Sequence, residues 1–174
     1  RTAPAGIRPT TFVAVGDSRR WNGHWERSKM SDHCLQWKPE FFMNNGDLVL
    51  RGHEYNLWPE HFQRFADING SYMMVTARGN HEGSMYSDRD NDWFAKYHEL
   101  PDEGEPRLSF DWGNIHMVLL SYEDVGSPAR IAATAEWLDR DLAEAGKDRW
   151  NIVVQHFPIY CAGYDGPEDS RKEV

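Results

Sequence analysis

The chain's 174 residues, 20.2 kDa in all, carry 19 lysines and arginines against 28 aspartates and glutamates, a net charge of −9. A single domain of this size buries enough surface to fold without disulfides, and the acidic balance excludes binding of long nucleic acid by counterion release. No apolar run approaches the roughly 20 residues that span a bilayer, which leaves small phosphorylated substrates, their charge met by metal ions, as a partner class the composition allows.

Residues 1–10 (RTAPAGIRPT) combine two prolines and a glycine with no periodic apolar pattern, and read as an irregular segment ahead of one domain over residues 11–174. Residues 11–15 (TFVAV) are β-branched and aromatic, predicting a buried strand that ends in a tight turn at Gly16-Asp17. A helix is predicted over 24–37, then a strand over 41–45 (FFMNN) running into Gly46-Asp47. A helix over 54–67 precedes a third strand over 72–77 (YMMVTA), which leads into Gly79-Asn80-His81. After a helix over 90–98, residues 108–112 and 115–121 flank Gly113-Asn114 and predict a hairpin with a two-residue turn. The clearest helix covers 129–145, with Ile131, Ala135, Leu138 and Leu142 at helical spacing and Gly146 as its C-cap. A last strand over 150–154 (WNIVV) leads into Gln155-His156, and the polar, turn-rich residues 163–174 suggest a chain that stops before its fold closes. Strands alternating with helices predict an α/β fold, its sheet largely parallel with the hairpin adding antiparallel strands.

In such folds ligands gather beyond the carboxyl ends of the strands. Asp17, Asp47, Asn80, His81 and His156 all follow strand ends, and offer two carboxylates, a carboxamide and two imidazoles. Hard oxygen donors mixed with imidazole suit manganese, iron or zinc. Two such ions about 3.5–4 Å apart can share a carboxylate and a water and clamp an in-line phosphoryl displacement. Taken singly, an aspartate after glycine is a turn former and a histidine a packing residue; the ordered series favours the site. His24, His33, His53, His61, His98 and His116 lack that context and read as surface or packing residues, Cys34 and Cys161 as unpaired thiols. Trp21 and Tyr55 stand near the motif loops as pocket candidates.

Gly16-Asp17, Gly46-Asp47, Gly79-Asn80-His81-Glu82 and Val154-Gln155-His156 together resemble four ordered blocks of the calcineurin-like metallophosphoesterase superfamily, in the branch of the purple acid phosphatases. The resemblance implies a layered α/β/β/α sandwich, here an incomplete copy, that hydrolyses phosphomonoesters or phosphodiesters with two metal ions and a metal-bridging hydroxide. It implies that Asp17 ligates the first metal, Asp47 bridges both, and Asn80 and His156 ligate the second. His81 would serve the leaving-group oxygen as a general acid, oriented by Glu82. The resemblance also implies an extracytoplasmic setting, periplasmic or secreted, with no signal segment in view.

Three departures from the family pattern stand out. Arg19 occupies the place of a metal-ligating histidine and can instead hold a substrate phosphate or be a solvated loop residue. Leu50 stands where purple acid phosphatases carry a tyrosine, and the downstream Gly-His-x-His block is absent. The chain therefore reads as a fragment whose remaining ligands lie elsewhere. The alternative is a catalytically silent binding module on the same fold.

Overall fold

In the computed structural model, which describes residues 4, 6–19, 27–83, 92–98 and 107–158, alternating side chains put every strand of one small sheet between two apolar layers. Strands β1 (Phe12–Val15), β2 (Phe41–Asn44) and β3 (Met73–Thr76) pair in parallel in that order. Phe12, Phe41, Met43, Met73 and Val75 face one way; Val13, Phe42 and Met74 face the other. This is the period-2 alternation of a strand, here apolar on both sides because both sides are covered.

The second sheet supplies the layered sandwich that the family resemblance implied, where the alternation of strands and helices by itself suggested one sheet. Strands β4 (Leu108–Trp112) and β5 (Ile115–Leu119) form the predicted antiparallel hairpin, and β6 (Trp150–Val154) pairs in parallel with β5 instead of extending the first sheet. Ile115, Met117, Leu119 and Val154 meet Phe41, Met43 and Val75 in a shared core, so the two sheets stack face to face. Phe41 anchors that interface, stacked on Phe12 at 5.3 Å and tilted against Trp112 at 5.3 Å. With helices outside both sheets, the layers follow the α/β/β/α order.

Helix α1 (Arg27–Leu35) and the short α3 (Ala66–Asn69) cover the outer face of the first sheet through Leu35, Phe65 and Ile68. The helix expected over 54–67 is two pieces, α2 (Leu57–Arg64) and α3, because Phe65 leaves helical geometry at φ −105°, ψ 21°. Trp58 of α2 and Phe94 of α4 (Trp93–His98) bury Leu48 and Val49. His61 is buried beside Phe65, and His98 stacks on Phe94 at 4.3 Å, so both pack as expected. Burial pulls the His61 pKa down to about 4, which keeps its imidazole neutral. Tyr55 is exposed and lies tilted against Trp93 at 4.9 Å. Trp21, His24, Cys161 and residues 163–174 lie outside the described residues.

Helix α5 (Pro128–Glu144) begins at the N-cap Ser127, whose hydroxyl accepts the Arg130 N–H, with Pro128 in its first turn. Its buried face is not the one the spacing of Ile131 and Ala135 predicts: Ile131 is 49% exposed, while Thr134 is buried and bonded to Asp124 and Arg107. Polar anchors turn the helix. Asp141 accepts from the Ser109 hydroxyl and from His116 Nε2 at 2.8 Å, and His116 Nδ1 bonds Asp111 at 2.8 Å. A buried imidazole between two carboxylates is an imidazolium: burial lowers its pKa, but Asp141 and Asp111 outweigh that and raise it.

A folded-state pKa above the unfolded one stabilises fully below about 6.5, and that contribution fades as pH rises through the folded value. His116→Phe is expected to cost about 2 kcal/mol at pH 6 and less at pH 9. Chemical denaturation of both proteins across that range checks it.

Candidate metal centre

Each of the series residues sits where a strand ends. Asp17 follows β1, Asp47 follows β2, Asn80 and His81 follow β3, and His156 follows β6. Four therefore follow strands of one sheet and the fifth a strand of the other, and bonds between the sheet ends include Tyr122 N–H to the Arg78 carbonyl at 2.9 Å and His156 Nδ1 to the Asn45 carbonyl at 3.0 Å. Both aspartates adopt left-handed backbone, φ 49° at Asp17 and 59° at Asp47, a conformation short polar side chains tolerate and one common at functional loops.

The loops approach so closely that two glycines are obligatory. A Cβ on Gly46 (φ +109°) would meet the Gly79 backbone at 2.7 Å, and one on Gly79 would meet Asp47 Oδ1 at 2.3 Å. Glu82 holds this junction. Its carboxylate is 1% exposed and accepts three backbone N–H groups, from Asp47 at 2.8 Å, Val49 at 3.0 Å and Gly79 at 3.2 Å. Burial pushes its pKa up to about 7, with neighbouring Asp47 adding to the rise and the N–H donors opposing it.

Glu82 was expected to orient His81, and its carboxylate does something else: it fixes the backbone under Asp47. His81 is aimed by the Leu50 carbonyl, which takes its Nδ1 proton at 2.6 Å, and by Asp47 Oδ1, which accepts its N–H at 3.1 Å. Leu50, the position of a tyrosine in purple acid phosphatases, thus contributes through its main chain. His81 Nε2 is left facing Asp47 Oδ2 at 3.8 Å.

Donor atoms of Asp17, Asp47 and His156 lie within 4.8 Å of one another. His156 Nε2 stands 2.9 Å from Asn80 Oδ1 and 3.3 Å from Asp47 Oδ1. Because Nδ1 gives its proton to the Asn45 carbonyl, the Nε2 lone pair of neutral His156 points at two oxygen acceptors. A proton or a metal ion on Nε2 satisfies that meeting. Burial lowers the His156 pKa, yet Asp47 outweighs it and raises the value; the same pairing, with help from His81 and Arg19, overcomes burial and lowers that of Asp47. The donors present fit a divalent ion: carboxylates, a carboxamide oxygen and an imidazole of set tautomer. Arg19 lies against both carboxylates, bonding Asp17 Oδ1 and Asp47 Oδ2.

Three supporting residues escaped the sequence reading. Asn44 is fully buried and joins the loops, accepting from the Gly46 N–H and donating to the Ser18 hydroxyl, both at 3.0 Å. Arg64 donates to the Ser18 carbonyl at 3.1 Å. Arg78 is buried between Asp92, Glu123 and the Glu82 carbonyl, and lies over Phe94. A polar residue inside an apolar strand was the available signal for Asn44; for the arginines there was none.

A calcineurin-like phosphoesterase family model matches residues 10–174. Two uncharacterized proteins of Mycobacterium tuberculosis, from strains CDC 1551 / Oshkosh and H37Rv, are each 26% identical over 90% of this chain, which spans 36% of their length. The purple acid phosphatase PPD1 from yellow lupin (Lupinus luteus) seeds shares the fold with TM-score 0.68 at 18% identity, over 92% of this chain and 33% of that one. A dimetal phosphatase from Danio rerio superposes with TM-score 0.57 at 16% identity, over 87% of this chain and 70% of that one.

Removing the Glu82 acceptor strands buried N–H groups under Asp47, so Glu82→Leu is expected to destabilise the protein by about 3 kcal/mol or more. Gly79→Ala, which displaces the Asp47 carboxylate, is expected to weaken manganese binding by at least about tenfold. Denaturation and calorimetric titration measure the two effects.

Proposed function

Because the chain belongs to the calcineurin-like phosphoesterase family, we propose that it is a metal-dependent hydrolase of phosphoric esters. The observation that carries the proposal is the His156 lone pair turned on Asp47 and Asn80, a meeting a bound metal ion resolves. Asp47, 1% exposed, divides its oxygens, Oδ1 toward His156 and Oδ2 toward the Asp17 side, and so can serve two ions of manganese, iron or zinc. Asp17 would hold the first ion, Asn80 and His156 the second. When bound, such ions supply Lewis acidity toward phosphoryl oxygens and lower the pKa of water toward neutrality.

The protein's own groups do the rest. With Nδ1 committed to the Leu50 carbonyl, the proton His81 can pass to a leaving-group oxygen is the one on Nε2, and the main-chain bond to Asp47 keeps that atom beside the centre. Glu82 holds the Asp47 and Gly79 backbones at a separation set by one carboxyl group, which limits how far the donors drift between turnovers. A small phosphorylated substrate fits the overall charge of −9, since the metal centre rather than the protein surface supplies the positive field.

One observation favours a second reading, a catalytically silent binding module: Arg19 occupies the two carboxylates that would otherwise meet an ion. Hydrolysis of aryl phosphomonoesters and diesters by the full-length protein with manganese separates the two. Asp47→Asn is expected to abolish turnover together with metal uptake. His81→Ala is expected to lower kcat by about 100-fold or more while metal uptake persists. Unchanged turnover in either variant removes that residue from the mechanism.

A further inference from the structure

The two halves of this centre are unlike. On one side His156 Nε2 lies 2.9 Å from Asn80 Oδ1 and 3.3 Å from Asp47 Oδ1, and the His156 and Asp47 side chains are 6% and 1% exposed. On the other side Asp47 Oδ2 and Asp17 Oδ1 share the Arg19 guanidinium, whose side chain is 18% exposed beside an Asp17 side chain 60% exposed. A guanidinium does not lose its proton at physiological pH, so it meets an incoming metal ion as a fixed competing charge. It also occupies the carboxylate lone pairs that ion would use.

Arg19 is placed for this by its backbone. Its N–H bonds the Asp47 carbonyl at 2.9 Å, and the Asp17 N–H bonds the Gly46 carbonyl at 3.1 Å. Ser18 between them is fixed by Asn44 and Arg64. These bonds hold the Cα of Arg19 whether or not its side chain lies on the carboxylates. The exposure of Asp17 leaves the guanidinium a way into solvent, and the main-chain bond keeps it tethered within reach of its starting place. The charges agree with this division: two carboxylates and one guanidinium sum to −1, which one divalent ion already more than neutralises.

Resting on the metal-centre reading above, we propose that Arg19 is a tethered cation that holds the Asp17 side of the centre until a metal ion displaces it. The two ions then bind in order, the His156–Asn80 side first and tightly, the Asp17 side second and more weakly. The free concentration of the metal, through the second step, sets how much of the protein carries both ions.

Isothermal titration of manganese into the metal-stripped, full-length protein tests this, with Arg19→Gln and Arg19→Ala as two independent removals of the charge. The wild type is expected to show two classes of site. Both variants are expected to tighten the second class by about tenfold or more and to leave the first within about threefold. A second class unchanged in both variants overturns the proposal and leaves the metal-centre reading standing, as does loss of both classes in the variants, which would make Arg19 a brace for the loop. Absence of manganese binding by the wild type overturns the metal-centre reading itself.

Discussion

One buried carboxylate organises the centre. Glu82 collects the N–H groups of Asp47, Val49 and Gly79, which belong to the loops after the second and third strands of the first sheet. Those donors have no strand partner where the sheet ends, and unpaired they would each cost about 1–3 kcal/mol in a dry interior. A single side chain satisfies all of them and thereby sets the spacing of the two loops that carry Asp47 and Asn80, two of the four candidate ligands. The same bonds stabilise the charged form of Glu82, which burial by itself would disfavour.

Around that junction the protein concentrates negative charge and balances it locally. Asp47 keeps its carboxyl ionised in a nearly closed environment because His156, the His81 N–H and Arg19 face it. The site is therefore an acidic pair with a tethered positive group on one side and an imidazole lone pair on the other. Its two halves differ in exposure, in donor type and in the cation already present. That asymmetry is what links the centre's geometry to the order in which it can be filled.

The surrounding fold supplies rigidity on both sides of the centre. Phe41, stacked on Phe12 and tilted against Trp112, fastens the two sheets together. Arg78, held by Asp92 and Glu123 with its guanidinium over Phe94, fastens the loop after β3. The His116 clamp to Asp111 and Asp141 does the same for α5 on the far face of the second sheet. The Arg78 and His116 devices each pair a charged group with opposite charge in a partly buried setting, where removing one partner strands the other.

Much of the centre was legible in the residues because its donors follow recognisable strand runs: Asp17 after TFVAV, Asp47 after FFMNN, His156 after WNIVV. Chain-local pattern is enough for this, since hydrophobic periodicity and turn-forming glycines act over a few residues. The hairpin and the position of α5 came from the same signals. What chain-local pattern could not decide was partnership between distant segments. It placed β6 in one parallel sheet, whereas sheet stacking sends it to β5; it turned α5 on Ile131, whereas Asp141 and Thr134 turn it elsewhere. It assigned Glu82 to His81, whereas the carboxylate is taken by backbone donors 33 and 35 residues away in the chain and only the remainder by Gly79. Residue types and local periodicity name the groups that can act; which groups meet depends on packing across the whole chain, where burial makes an unpaired donor too costly to leave.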